Sequence, residues 1–257
     1  MRSEITLINE LRVLKQSTLY GETCIVGENP IREQAMHEAV ERIRGNIQGS
    51  EFVISMFRTS RSGNVFALEL EYCPGGDFLK AIQGKSLPTL ESVKIFTQAC
   101  QAVRFLHAHD IVHRDISPEN ILLSSRGDCR LADFGMACTV AQHDFLQDGR
   151  FCGKLLYYRS PEQYLRSPYS GKASDVFALG VSLFALLTNR VLFRRARVDD
   201  SSWQHFHKVG VSAIVEEWCL TEKVSCSACD LLSKMLCPEP NRIAIETVLE
   251  HPFLQNT

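Results

Sequence analysis

Residues 111–123 read "IVHRDISPENILL". Apolar pairs at either end bracket a polar run that holds His113, Arg114, Asp115, Glu119 and Asn120. A solvated turn would tolerate such residues but needs no fixed pattern of them. A loop that performs chemistry does. Taken alone, Asp115 and Asn120 also suit an Asx-type turn. Thirteen residues beyond Asn120 stands Asp133, inside "ADFGMA" at 132–137, and the three together make the turn reading the weaker one.

Working outward, the chain has 257 residues, 45% hydrophobic and 23% charged, enough for one large or two small globular domains. A net charge of −2 gives no reason to expect a nucleic-acid or anionic-membrane partner. No apolar run approaches the ~20 residues of a spanning helix. The opening "MRSEITLINE" lacks the apolar core of a secretory signal. Ten cysteines without such a signal suggest reduced thiols and a cytoplasmic location. Cys226 and Cys229 form "CSAC", but no second pair completes a zinc site, so one turn of a buried helix is expected there.

Residues 1–72 carry strand-like runs, "EITLI", "TCIV", "EFVISMF" and "NVFALELEY". They are interrupted by a helix-like "PIREQAMHEAVERIRG", which starts at Pro30, stops at Gly45 and repeats Met36, Val40 and Ile43 at helical spacing. After "CPGG" at 73–76 the texture turns helical, with "LESVKIFTQACQAVRFLHAH", the nearly all-apolar "DVFALGVSLFALLTN", "SCSACDLLSKML" and "AIETVLEHPFL". The expected architecture is α+β: one domain over 1–254, with a small, reduced β-rich lobe at 1–72 and a larger helical lobe at 73–254. A ligand site is expected at the junction.

The motifs now on the page resemble those of the eukaryotic protein kinase family. "HRDISPEN" is similar to its catalytic loop, "ADFGMA" to its metal motif and "YRSPE" at 158–162 to its A-P-E motif. "EYCPGGDFL" resembles the hinge, "SDVFALGV" the start of the central helix and "PNRIAIETVLEHPF" the closing Arg-bearing segment. The six occur in family order from about Phe66 to Leu254, roughly three quarters of the chain. The resemblance implies a two-lobed kinase-like fold, ATP and Mg²⁺ as cofactors, and a protein substrate. Asp115 would accept the hydroxyl proton, while Asn120 and Asp133 would offer Mg²⁺ the hard oxygens it prefers. Gly135 would supply conformational freedom beside the metal. The backbone at Glu71 and Cys73 would meet adenine, with Leu70 as gatekeeper, and Leu122 and Asp77 would complete the nucleotide-binding set. His113 and Phe134 would pack in the core, Glu162 and Arg242 would form a buried ion pair, and Asp175 would hold the catalytic-loop backbone.

The first lobe departs from the family pattern. "LRVLKQSTLY" at 11–20 has the framing of the glycine-rich loop, but Arg12, Leu14 and Ser17 stand where the glycines would be. Their bulk is expected to keep the backbone off the phosphates and to leave ATP little better bound than ADP. Lys15 is the one lysine before Lys80. Either "RVLK" is a displaced lysine strand or Lys15 reaches the phosphates from a neighbouring strand, with Glu38 and Glu41 as candidate helix partners. Ser117 replaces the lysine usual two residues after the catalytic aspartate, and Lys154 in "CGKLLYYRSPE" replaces the usual threonine, so the catalytic cation is expected to have moved to Lys154. Between Met136 and Ser160 the only hydroxyl residues are Thr139, Tyr157 and Tyr158, and none falls in "AQHDFLQDGRF". Activity without prior phosphorylation is expected, with Asp144 or Asp148 offering Arg114 a carboxylate. The first reading is a serine/threonine protein kinase. The second is a pseudokinase acting as a nucleotide-binding or scaffold module. A small-molecule kinase is third, opposed by "YRSPE" and the closing Arg segment.

Overall fold

The computed structural model describes residues 2–18, 29–82, 89–140, 145–146, 156–165 and 168–255. Among these, β1 (Arg2–Asn9) and β2 (Arg12–Thr18) form an antiparallel hairpin, α1 spans Pro30–Ile43, and β3 (Met56–Ser62) and β4 (Val65–Glu71) complete a sheet of order β1-β2-β4-β3. The register sets Val13 against Leu70, Lys15 against Leu68 and Ser17 against Phe66. Side chains alternate along a strand, so these six residues share one face. Phe66, Leu68 and Leu70 are buried there, in contact with α1's side of the lobe. A lysine on that face is desolvated and needs a counter-charge. "TCIV" lies outside the described residues. "EFVISMF" is a strand only from Met56 onward, because Ser50–Phe52 closes into a 3₁₀ turn.

Asn29 caps α1, its side chain accepting from the Ile31 and Arg32 amides at 2.9 and 3.4 Å, and Pro30 fills the first turn. The buried ridge of the helix is Pro30, Glu33, His37 and Val40, with Met36 and Ile43 only partly buried beside it. Past its C-terminus, Arg44 donates to the carbonyls of Ser50, Val53 and Ile54 at 2.6, 3.0 and 2.7 Å. That loop is fastened to the helical lobe, since the Ile54 amide donates to the Leu131 carbonyl at 3.0 Å. Gly49 there is obligatory: a Cβ would lie 2.3 Å from the Gln101 carbonyl oxygen, and φ is +96°.

The second lobe holds α2 (Phe78–Ile82), α3 (Thr89–Ala108), α4 (Gly171–Thr188), α5 (Ser201–Glu217), α6 (Cys226–Leu236), α7 (Ile245–Leu249) and α8 (Pro252–Gln255). Short strands line its cleft side: β5 (Ile111–Val112) pairs with β8 (Cys138–Thr139), and β6 (Ile121–Leu123) with β7 (Cys129–Leu131). Further out, β9 (Phe145–Leu146) pairs with β10 (Tyr169–Ser170). The apolar α4 is long enough to cross a membrane by length and composition, but 83% of it is buried inside the protein, where it is the axis of the core. Of "CSAC", Cys229 is buried and Cys226, the first residue of α6, is exposed, so the motif is half of the buried turn expected. Among the described residues no group of three His, Cys, Asp or Glu is placed to hold a metal by itself.

Candidate active site

The β6–β7 hairpin sets Ile121 opposite Leu131, and the Ala132 amide donates to the Asn120 carbonyl at 2.9 Å. The loop of residues 113–120 is thereby joined to Asp133. Asn120 Nδ2 donates to the Asp115 carbonyl at 2.6 Å and to Asp115 Oδ2 at 3.1 Å, which orients the Asp115 carboxylate. His113 is a second brace. Its Nδ1 accepts from the Asp115 amide at 3.3 Å and its Nε2 lies 3.1 Å from the Ala132 carbonyl, a pattern that requires the Nε2–H tautomer.

Arg114 and Asp133 both hold left-handed backbone, each with φ 67°. For residues with a Cβ this costs about 1 kcal/mol or more each. Asp175 supports the first: its carboxylate accepts the His113 and Arg114 amides, both at 2.8 Å, and His107 Nε2 lies 2.9 Å away. The left-handed residue of the metal motif is Asp133 itself. Gly135, expected to carry that freedom, instead donates its amide to Asp133 Oδ1 at 3.3 Å.

From the sheet, Lys15 Nζ lies 2.6 Å from Glu33 Oε1 and 3.4 Å from Asp133 Oδ1. This settles two points of the sequence reading. Residues 12–18 form a strand paired with β1 and β4 rather than a loop, and Lys15 reaches Glu33 and Asp133 from it, the arrangement expected of a displaced lysine strand. Arg12 pairs with Glu69 at 2.6 Å and Ser17 is buried next to Ser3, at 2.9 Å. The argument that their bulk equalises ATP and ADP binding falls with that placement. The lysine's partner is Glu33, not Glu38 or Glu41. Glu38 bonds Gln34 and Thr59, and Glu41 bonds Arg44 and the Met56 amide, on the helix flank away from the cleft.

Burial pulls the Lys15 ammonium down, but the Glu33 and Asp133 carboxylates outweigh it and its pKa lies above the ordinary lysine value. Burial pushes the Glu33 carboxyl up, with Lys15 opposing. The raised value keeps the Lys15 ammonium charged at neutral pH. One Glu33 oxygen, Oε2, has no hydrogen-bond partner.

Behind this pair runs a column of rings. His37 meets Phe134 edge-on at 5.0 Å, and Phe134 meets His113 at 5.2 Å. Burial and the nearby Lys15 depress the His37 pKa to about 3. Its folded value lies below the unfolded one of about 6.5, so the neutral form stabilises the fold fully at higher pH, and that stability is lost as pH falls toward 3. Between pH 7 and pH 5 the loss is about 2 kcal/mol. His37→Leu is expected to flatten this acid limb, read as a smaller drop in Tm between pH 7 and pH 5.

The hinge stands as follows. Glu71 pairs its side chain with Arg130 Nε at 2.8 Å, tying strand β4 to β7. Cys73 is buried, and burial with the nearby Glu71 pushes its thiol up to about 12, so it is no nucleophile. Leu122, on β6, is half-buried beneath this segment and bridges Asp77. Asp77 uses its carboxylate on the start of α2, accepting from the Lys80 amide and pairing with Lys80 Nζ, both at 2.8 Å. Val13 and Leu7, paired across β1 and β2 on the cleft-facing side, were not singled out by the sequence, though Leu7 is 55% exposed there. Gly75 fits its turn because a Cβ would meet Leu123 at 2.6 Å. Lys154, Asp144 and Asp148 lie outside the described residues. Ser117 is buried in extended backbone, Thr139 lies on β8, and Tyr158 is buried.

Glu162 and Arg242 form the buried pair, and Arg242 also donates to the Ala173 and Cys237 carbonyls at 2.9 and 3.0 Å and stacks over Phe177.

A profile of the protein kinase domain matches residues 10–254. The chain belongs to the protein kinase family. Among curated relatives of this family member are the probable serine/threonine-protein kinase HSL1 of Saccharomyces cerevisiae, 34% identical over 206 residues, and the probable serine/threonine-protein kinase KCC4 of the same yeast, 35% over 205. A third is the serine/threonine-protein kinase PLK4 of Nematostella vectensis, 34% over 207. Each alignment covers 79% of this chain but only 13%, 19% and 20% of the respective relative. The chain thus spans no more than a fifth of the length of these three proteins.

Proposed function

We propose that this chain is a serine/threonine protein kinase that transfers the γ-phosphoryl group of ATP to protein hydroxyls, with Mg²⁺. The observation that carries the reading is Lys15 in contact with both Glu33 and Asp133, on a network that continues through Asn120 to Asp115. A scaffold has no need of a desolvated lysine between two carboxylates, and this favours the enzyme over the pseudokinase.

The donor set suits Mg²⁺. Asp133 offers a carboxylate and Asn120 an amide oxygen, Oδ1, that makes no hydrogen bond among the described residues. Two hard oxygens without a third acidic ligand fit an ion that completes its shell with phosphate and water. When bound, the ion would neutralise charge on the phosphates. Lys15 orients a phosphate oxygen and is itself kept in place by Glu33. Asp115, aligned by Asn120, accepts the proton of the substrate hydroxyl as that oxygen forms its bond to phosphorus and the bond to ADP breaks. Glu71, Cys73, Leu122 and Asp77 border the nucleotide's place at the hinge. A cytoplasmic location belongs to the same proposal, supported by free thiols at all eight cysteines among the described residues. The test is labelled ATP with purified protein and a mixed protein substrate. Incorporation that Asp115→Asn removes supports the reading, and its absence in the wild type overturns it.

Lys154 is proposed as the cation opposite Asp115 in place of the lysine missing at Ser117. A lysine ammonium there contributes about one to a few kcal/mol. Lys154→Met is expected to lower turnover roughly ten- to a thousandfold with little change in ATP binding. Ser117→Lys should partly rescue Lys154→Thr yet help little beside an intact Lys154. Additive effects in that cycle would exclude the shared role.

A further inference from the structure

A groove of about 370 Å³ opens between the end of α3, the first turn of α4 and the turn that leads into α7. That is within the range of ligand pockets, roughly 300–1,000 Å³. Of its apolar lining, Val176 and Ile245 are buried, Ile243 is half-buried, and Pro240 and Ala244 are exposed. The walls are held from within. Arg242 donates to the Ala173 and Cys237 carbonyls at 2.9 and 3.0 Å, and the Asn241 amide donates to the Pro238 carbonyl at 3.1 Å. A groove fixed in this way loses little freedom when it is filled. Four charged side chains line it, Lys172, Glu239, Arg242 and Glu246. Each of the two cations is matched by a carboxylate outside the lining. Arg242, its side chain 0% exposed, is paired with Glu162, and Lys172 Nζ lies 2.9 Å from Asp110 Oδ1. The two acids are not matched. Glu239 accepts the Ser170 amide, 3.2 and 3.3 Å from its two oxygens, and burial pushes its carboxyl above the ordinary value. Glu246 makes no side-chain hydrogen bond or ion pair among the described residues. His107, at the α3 end, is taken up by Asp175 at 2.9 Å.

We propose that this groove is a docking site for a segment of a protein partner that carries basic side chains next to aliphatic ones. The aliphatic side chains lie against Val176, Ile243 and Ile245, and an ammonium or guanidinium meets Glu239 and Glu246. Charge complementarity selects this occupant. An acidic segment would face two uncompensated carboxylates, and a purely apolar one would cover them without giving them a partner. The partly buried Glu239 is screened less by salt than a surface acid, so a cation placed against it gains more.

Fluorescent peptides in which leucine alternates with arginine, glutamine or glutamate test this. The arginine peptide is expected to bind at least about tenfold tighter than the glutamine peptide, and the glutamate peptide weakest, with the margin shrinking as salt rises. Glu246→Gln, at an exposed position, should reduce that margin about threefold, and Glu239→Gln with Glu246→Gln should remove it. Ala244→Trp, at the exposed rim, should block the arginine peptide by filling the groove. Equal binding of the three peptides to the wild type overturns the proposal. So does a margin that survives the double variant or Ala244→Trp at unchanged Tm, since the peptide is then held elsewhere, for instance at the carboxylates of the active site. Sedimentation that shows a dimer split by Ala244→Trp overturns it in favour of a second copy of this chain. Because the peptides lack a hydroxyl, each outcome is independent of whether the protein transfers phosphate.

Discussion

Asp133→Asn is expected to abolish phosphoryl transfer while leaving the fold in place. The substitution isolates charge because asparagine matches aspartate in size and shares its tolerance of left-handed backbone, which this position needs at φ 67°. It keeps an oxygen to accept the Gly135 amide. What it removes is the carboxylate opposite Lys15 and, on the proposed function, the stronger of the two oxygen donors to Mg²⁺. The expected fall in turnover is about a thousandfold or more, equivalent to ~4 kcal/mol of transition-state stabilisation. Tm should move by no more than a few degrees. Asp133→Ala is a poorer experiment, since alanine pays the left-handed cost and loses the amide bond together. Asp115→Asn should instead reduce turnover far more than ATP affinity, because the role proposed for Asp115 is toward the hydroxyl and not the nucleotide. Wild-type turnover in both variants would end the kinase reading.

Lys15→Met has two effects that a second substitution separates. Turnover should fall by about a hundred- to a thousandfold, through loss of the phosphate-facing ammonium. Stability should fall as well, by about 3–5 kcal/mol, since Glu33, with 1% of its side chain exposed, is left as a buried charge without its partner. That second effect depends on pH. Without Lys15 the folded-state pKa of Glu33 rises further above its unfolded value, so the Glu33 share of the loss is smallest at low pH and grows as pH rises above that unfolded value. Adding Glu33→Leu to Lys15→Met should recover most of the stability and none of the turnover. Thermal melts at two pH values and a turnover assay measure this. Equal Tm losses at pH 5.5 and pH 8, or recovered turnover in the double variant, would contradict the ion-pair account.

The parts of the site that are contiguous in the chain were legible as sequence. Asp115 and Asn120 stand on one loop, Asp133 in one tetrapeptide, and Glu162, Asp175 and Arg242 in recognisable surroundings. Lys15 and Glu33 were harder for a physical reason: the contacts that define them span 18 and 118 residues, and no local pattern encodes those distances. Glu33 was passed over because the search for a helix face follows apolar residues. Met36, Val40 and Ile43 mark a face rotated from the innermost ridge, two of whose four residues, Glu33 and His37, are polar. Residues 12, 14 and 17 resemble a phosphate loop because alternate positions on a strand imitate the spacing of its first two glycines. The pairing of β2 with β4 overrides that likeness, since Lys15 opposite Leu68 can face only inward.

Helix α1 is fastened at one end by the three carbonyls that Arg44 grips, in a loop bonded to the opposite lobe, while near the other the Glu33–Lys15 ion pair stands beside the weaker Gln34–Thr59 contact at 3.4 Å. Eleven residues of helix make a lever of about 16 Å between them. A tilt of roughly ten degrees about Arg44 therefore moves Glu33 about 3 Å, enough to part it from the lysine. The gap between Glu33 and Lys15 is therefore the distance most sensitive to the angle of the helix.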